Sequence, residues 1–297
     1  HPSVTAQTYP HKPAVIMGGS GEMVTYHQLD ERSNQGAQLF RSLGLKAGDH
    51  IGMMLENTPR FLEIAWAAQR AGIIYTPIST HLKRDETAYI LQNCGARLFI
   101  GSLQLAEVAE QLVSAVDGIE HFYMVGGVRP GFESWEEAVD AQPPEPIADQ
   151  ANGVPMLYSS GTTGKPKGVF VPPESDEVDT PHPLAATIGA VFGFSEETVY
   201  LSPAPLYHAA PLHYCNMALY QGGTAVVMEK FDPEEALRLI EEHRCTHSQW
   251  VPIMFIRMLK LPAEVRERYD TGTMQFAIHA AAPCPVEVKQ QMIDWWG

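Results

Sequence analysis

Apolar positions in this chain fall into two interleaved periods. Short contiguous apolar runs bounded by turn residues alternate with longer stretches in which apolar side chains recur every three or four residues. Contiguous runs suit buried strands, and the three-to-four spacing suits helices with one face on a core. Thr25 followed by Gln28 has the form of a capping box, and the helix it opens carries Leu29, Gly36, Phe40 and Leu43 on one face, with Gly44 as its stop. A strand follows over 51–55. Thr58-Pro59 then sets a proline in the first turn of the next helix, Gly72 closes it, and the chain returns as a strand over 73–78. The same alternation predicts helices over 84–93 and 103–115 and strands over 97–100 and 121–125.

Three prolines within 141–147 end this first run, which predicts a subdomain connection there: residues 1–150 as a first α/β subdomain and 151–297 as a second. The second begins with the apolar run 154–158. A proline- and acid-rich stretch over 172–183 reads as exposed, after which the alternation resumes. A helix is predicted from Leu184, strands at 198–202 and 224–228 flank a helix near 212–219, and Asp232 before Pro233 caps another helix. Strands near 246–251 and 274–279 and a helix over 285–296 complete the pattern. Regular strand–helix alternation without repeats or low-complexity tracts gives the fold class: α/β, with layered, mostly parallel sheets flanked by helices.

At 45% apolar and 19% charged, the chain has the balance of a soluble globular protein. No apolar run approaches the ~18 residues that span a bilayer, and the start shows no secretory pattern, so a cytoplasmic address is the default expectation, with no integral membrane segment. Twenty basic against thirty-five acidic residues give a formal charge of −15, which disfavours nucleic acid and anionic lipid as partners. An anionic ligand would need a locally positive site, and Lys165 and Lys167 supply one. Cys94, Cys215, Cys245 and Cys284 are widely spread with no Cys-x-x-Cys pair, so they read as reduced packing residues. His243 and His247 flank Cys245, but the three do not share a helical face; a helix end is the better reading, His208 and His213 likewise fail as a pair, and no metal ligand is assigned.

The densest chemistry follows the 154–158 run: Ser159-Ser160-Gly161-Thr162-Thr163-Gly164-Lys165-Pro166-Lys167-Gly168. Its hydroxyls, two ammonium groups and glycines can surround a polyanion with donors while the backbone approaches closely. It is not a Walker loop, because Ser159 stands where the first glycine is required and Pro166 follows Lys165. A lone Gly-Thr-Thr-Gly is ordinary turn chemistry. The whole string, however, resembles the signature of the adenylate-forming superfamily, which includes acyl-CoA synthetases, firefly-type luciferases and the adenylation domains of nonribosomal peptide synthetases. The resemblance runs along the chain and is greatest to fatty-acid-type acyl-CoA synthetases. It takes in Pro77 to Leu82, Glu86 to Ile90, Pro203-Ala204-Pro205-Leu206-Tyr207-His208, which is similar to the second core motif, and Ala280-Ala281-Ala282-Pro283, which is similar to the Gly-Ala-Ala-Pro segment.

The resemblance implies the front part of the synthetases' large N-terminal domain, and a two-step ligase in the full-length protein. A carboxylate attacks the α-phosphate of MgATP to give an acyl-adenylate and pyrophosphate, and the CoA thiol then displaces AMP. Catalysis of this kind rests on positioning and charge stabilisation. It implies ATP, Mg2+ and CoA, with ATP, a carboxylic acid and CoA as partners and a homodimer left open. Ser159, Ser160, Gly161, Thr162, Thr163 and Gly164 are assigned to the β- and γ-phosphates, with Lys165 and Lys167 as charge partners and Lys167 as the catalytic choice. Ala280, Ala281, Ala282 and Pro283 would lie against adenine; composition alone reads them as a tight strand-to-helix junction. Tyr207 and His208 would border the reacting carboxylate, His208 in a catalytic role. Trp250, with Met217 and Met254, would line an acyl tunnel, although such side chains are more often core.

Two departures qualify the match. Many relatives carry a Thr-His pair shortly after the loop, where this chain has Val169-Phe170-Val171-Pro172. Full-length relatives also continue with an aromatic-Gly-x-Thr-Glu motif that helps hold magnesium, a ribose-binding Asp, a hinge and a small C-terminal domain with a catalytic Lys. None of these is in the 297 residues, which open on His1 rather than Met. The expectation is a segment of a longer synthetase, without the small C-terminal domain and inactive alone. Other readings are an aryl-CoA ligase, an amino-acid adenylation enzyme and a noncatalytic nucleotide-binding module.

Overall fold

The structure, a computed structural model, describes residues 1–159, 165–173, 175–180 and 183–297. Its elements in the first half are α1 (Pro2–Thr8), β1 (Pro13–Met17), β2 (Met23–Thr25), α2 (Tyr26–Ser42), β3 (His50–Met54), α3 (Pro59–Arg70), β4 (Ile74–Pro77), α4 (Arg84–Cys94), β5 (Ala96–Ser102), α5 (Ala106–Leu112), β6 (His121–Val125), β7 (Glu133–Ser134) and α6 (Trp135–Asp140). There follow β8 (Leu157–Ser159), β9 (Lys167–Val169), α7 (Pro183–Phe192), β10 (Val199–Ser202), α8 (Ala209–Tyr220), β11 (Thr224–Val227), α9 (Pro233–His243), β12 (His247–Trp250), α10 (Pro252–Leu259), α11 (Ala263–Arg266), β13 (Phe276–His279) and α12 (Val286–Trp296).

These elements form two compact units. One comprises 27–182 together with 206–208, the other 1–26, 183–205 and 209–297. The division corrects the expected boundary at 150/151. The segment after Gln150 is bound to the first half: Ala151 and Pro155 form parallel bridges with Ala71 and Tyr75, and the Gly153 N–H donates to the Gln69 carbonyl at 2.7 Å.

The 27–182 unit is built on a five-stranded parallel sheet in the order β4-β3-β5-β6-β7. Parallel strands need crossovers, and α3, α4 and α5 supply them. The stop of α4 is written locally. Gly95 closes α4 at φ 68, a left-handed turn that a side chain would strain. The core under α4 and α5 is Ile90, Leu91, Phe99, Leu112, Met124 and Phe132, all fully or nearly fully buried. β8 and β9 form a separate antiparallel hairpin, with Ser159 opposite Lys167.

The other unit has a six-stranded sheet in the order β13-β12-β10-β11-β1-β2, parallel except for β2. α8 packs on β10 and β11, and α9 on β10. Asp232 caps α9 as expected, accepting from the Glu234 and Glu235 N–H groups at 3.0 Å. Its core gathers Leu237, Ile240, Trp250, Phe255 and Met258. The 103–115 helix arrives shorter, as a 3₁₀ turn over Leu103–Leu105 followed by α5. α10, which Pro252 opens, and α6 were not expected.

Candidate nucleotide site

β8 is carried in the direction of β4 by the parallel Ala71–Ala151 and Tyr75–Pro155 bridges, so its C-terminal end leaves on the carboxyl edge of the five-stranded sheet. That edge is where open α/β sheets place ligands. Ser159 ends β8 there and Lys167 opens β9 opposite it. Of the phosphate-loop candidates, Ser160, Gly161, Thr162, Thr163 and Gly164 lie outside the described residues. Both lysines are exposed, which suits a cation offered to a soluble anion.

α4 holds the base of the hairpin through two side chains four residues apart on one face. Asn93 Oδ1 accepts from the Tyr158 hydroxyl at 2.6 Å. The Tyr89 hydroxyl donates to the Pro166 carbonyl at 3.3 Å, and Lys165 Nζ stands 5.1 Å from the centroid of the same ring. Burial raises the Tyr158 pKa, so the phenol stays a donor. Sequence reasoning quoted Tyr89 only as part of a resemblance and missed Asn93; no spacing rule links either to residues some seventy positions away.

A second cluster gathers on the same unit. Asn57, just past β3, accepts the Leu206 N–H at 2.8 Å in a buried bond spanning 149 positions, which binds the 206–208 segment to this unit. Tyr207 is 7% exposed. Its ring lies 4.6 Å from His208 and, edge-on at 90°, 6.5 Å from His81, which follows β4. The His208 imidazole is exposed, yet partial desolvation, and secondarily the charge His81 would carry, hold its pKa below 6.5. A neutral imidazole at neutral pH can accept or donate one hydrogen bond beside a carboxylate. The structure thus brings Tyr207 and His208 together and adds Asn57 and His81. Asn57 had been hidden because it reads as a loop residue before the Thr58-Pro59 helix start.

In the other unit, Ala280 continues β13 and its N–H donates to the Trp250 carbonyl at 3.1 Å. Ala281 adopts φ 71, a conformation that favours glycine, and Ala281, Ala282 and Pro283 are exposed. A strained non-glycine backbone in an exposed strand-to-helix turn is what a ligand-contacting segment can require, as well as what a tight junction produces. Trp250 is reassigned. It is 0% exposed, its Nε1 donates to Ser248 Oγ, and its ring packs against Phe231, Phe255 and Trp296, so it belongs to the core rather than to an acyl tunnel. Met217 and Met254 are likewise buried. His243 ends α9, Arg244 turns left-handed at φ 53, and His247 sits in β12 bonded to Thr246 Oγ1 and the Phe192 carbonyl. Among the described residues no group of three or more His, Cys, Asp or Glu side chains could hold a metal ion, and no helix is long and apolar enough to cross a membrane.

A family model described as AMP-binding enzyme matches residues 3–297. YngI of Bacillus subtilis (strain 168), whose name assigns it provisionally to the acyl-CoA synthetases, is 26% identical, over 99% of this chain and 57% of its own length. The crotonobetaine/carnitine–CoA ligase of Escherichia coli O1:K1 / APEC is 27% identical, over 89% of this chain and 52% of its own. A long-chain-fatty-acid–CoA ligase from Archaeoglobus fulgidus has the same fold at a TM-score of 0.85 and 21% identity, covering 99% of this chain and 59% of that one. The chain therefore spans about half the length of the curated relatives it matches. With the match running almost from end to end, this chain belongs to the AMP-binding enzyme family, whose relatives here are named as CoA ligases.

Proposed function

We propose that the chain is the phosphate-binding front portion of an AMP-forming acid–CoA ligase acting on a fatty or other hydrophobic carboxylic acid. In the first step a substrate carboxylate oxygen forms a bond to the α-phosphorus of ATP, pyrophosphate leaves, and an acyl-adenylate results. In the second the CoA sulfur bonds to the acyl carbon, AMP leaves, and the thiol proton passes to solvent. Neither step needs a protein nucleophile, so the residues here act by holding and screening charge. Ser159 and the loop that follows it donate to the β- and γ-phosphates. Lys167, fixed by strand pairing at the mouth of the hairpin, faces the charge that grows on the leaving pyrophosphate. Tyr207 and His208 border the carboxylate, and Ala280 to Pro283 leave room for a planar base. The described residues do not supply a ligand set for Mg2+, and no step is drawn through it.

The observation that carries this reading is the pairing of Ser159 with Lys167 at the carboxyl edge of a parallel sheet, on the unit that also holds His208. ATP–pyrophosphate exchange by the whole protein, across a panel of carboxylic acids, tests it. Lys167→Ala removes a charge-assisted contact of about 1.5–3 kcal/mol, an expected loss of roughly 10- to 100-fold in exchange. Exchange that is unchanged removes the assignment of Lys167. The purified 297-residue chain is expected to form no acyl-CoA; measurable product by thioester assay would overturn that part.

A further inference from the structure

We infer that the groove between α11 and α12 is a separate binding site for a small zwitterion, a free α-amino acid, whose carboxylate meets Arg266 and whose ammonium meets Glu267 and Asp294. None of these residues is among those assigned above to nucleotide or carboxylic acid, so the inference goes beyond that reading.

The groove has a volume of about 300 Å³ and is lined by Ala263, Arg266, Glu267, Gln291, Asp294 and Trp295. On each wall the three residues stand at i, i+3 and i+4, so each set shares one helical face, Glu267 being the C-cap of α11. Arg266 reaches across: its Cζ lies 5.4 Å from the centroid of the Trp295 ring. Arg238 and Arg268, in the same unit, pair with carboxylates at 2.5 and 2.9 Å. Arg266 makes no such pair among the described residues, although two carboxylates line its groove, and its Nε is buried without an acceptor. An indole face attracts the charge but offers no lone pair, so the guanidinium keeps its donor capacity for an oxyanion. Its planar fork matches the two oxygens of a carboxylate.

The rest of the lining decides what that carboxylate must carry. One cation against two anions leaves the groove net negative, in a chain whose formal charge is −15. Gln290 Nε2 donates to Asp294 Oδ1 at 2.8 Å, which leaves Oδ2 and the Glu267 carboxylate as acceptors. A phosphate dianion would gain Arg266 and be repelled by both acids, and a simple carboxylate would gain one partner against the same repulsion. An ammonium beside the carboxylate turns that repulsion into attraction. A volume of about 300 Å³ is at the small end for ligand pockets, which suits an amino acid. Two charge-assisted contacts at roughly 10- to 100-fold each give a dissociation constant on the order of 0.1–10 mM.

The whole protein, labelled with 5-fluorotryptophan, is titrated with L-leucine and followed by fluorine NMR, the Trp295 signal being assigned through Trp295→Phe. L-Leucinamide and 4-methylpentanoate are the controls, since each keeps the carbon skeleton and one of the two charges. The Trp295 signal should shift saturably, with L-leucine bound at least about 10-fold tighter than either control. Arg266→Met, which keeps an unbranched stem beside the indole, should weaken L-leucine at least about 10-fold, and Arg266→Lys, a charge without the fork, roughly 3- to 10-fold. The Glu267→Gln/Asp294→Asn double variant should weaken L-leucine and strengthen 4-methylpentanoate, an inversion that a purely structural role would not produce. No saturable shift up to about 50 mM L-leucine, five times the weakest constant expected, would overturn the inference. So would equal affinities for the three ligands, an undiminished shift in Arg266→Met, or no inversion in the double variant. ATP–pyrophosphate exchange is read in parallel; its absence would remove the functional reading above without touching this site.

Discussion

Gly153 occupies the tightest point on the path to the phosphate loop, and replacing it with alanine should loosen that path measurably. A Cβ at this position would stand 2.5 Å from the Ala68 carbonyl oxygen and 2.8 Å from the Ile73 nitrogen, with the Ile73 carbonyl oxygen closer still; all three are backbone atoms. Restoring ordinary contact means moving the strand back by about 0.6–1 Å, since no flexible side chain can yield. Four hydrogen bonds depend on its present place. They run from Gly153 to Gln69 at 2.7 Å, Ala151 to Arg70 at 3.2 Å, Tyr75 to Val154 at 3.1 Å and Met156 to Tyr75 at 2.8 Å. Losing two of them at about 1 kcal/mol each, with an overpacking cost of about 1–3 kcal/mol, gives roughly 3–5 kcal/mol. For a chain of this size that lowers the melting midpoint by roughly 10 °C. Differential scanning fluorimetry with far-ultraviolet circular dichroism reads the shift. Gly272→Ala is the control, because its Cβ meets only the Asp270 carboxylate at 3.0 Å and should change stability by less than about 0.5 kcal/mol. A Gly153→Ala melt indistinguishable from that control would refute the claim that backbone contact, rather than chain flexibility, requires glycine there.

Three further outcomes are expected. Asn57→Ala leaves the buried Leu206 N–H without its acceptor and should destabilise the chain by about 1–3 kcal/mol by urea unfolding, while raising the KM for the carboxylic acid in the whole protein more than the KM for ATP; equal effects on both would break the link to the 206–208 segment. Ala281→Gly relieves a left-handed φ of 71 and should be neutral to about 1 kcal/mol stabilising, whereas Ala281→Val should cost about 1–2 kcal/mol, and the reverse order would show the turn to be unstrained. His50, His208, His243 and His247 are all held below their ordinary pKa of 6.5, chiefly by desolvation, so below that pH the unfolded chain binds more protons than the folded one. Stability present above pH 6.5 should therefore fall as the pH drops toward 5, and His247→Gln should flatten the melting midpoint against pH; parallel profiles for the two proteins would exclude His247 from the effect.

Most local structure could be read in advance because it is encoded locally. The Thr58-Pro59 start, the Asp232 cap and the apolar run that became β6 each depend on neighbours within a few positions, and their predicted limits fall within about a turn of those observed. What escaped the reading depends on distant partners. Pro143 to Pro146 look like a boundary, but the bridges of Ala151 and Pro155 to Ala71 and Tyr75 carry the chain past them in one unit. Trp250 reads as a tunnel wall until Phe231, Phe255 and Trp296 close around it. At the site, the residue types of the loop advertise phosphate chemistry, whereas Tyr89, Asn93 and Asn57 act through side-chain bonds to backbone or phenol across 65 to 149 positions, which no periodicity records.

The strand order of the six-stranded sheet also dictates a schedule during synthesis. β1 emerges early but lies between β2 and β11, and Thr224, which bonds the Pro13 carbonyl, follows 211 residues later. At about 5–20 residues per second, the opening hairpin waits roughly 10–40 s on the ribosome for its parallel neighbour. Residues 27–182 have by then emerged without interruption and can already be assembled, so this unit can fold early and the other complete its sheet later. A ribosome stalled at about residue 230 should accordingly present a protease-resistant body over 27–182 with a cleavable leading segment of about 25 residues.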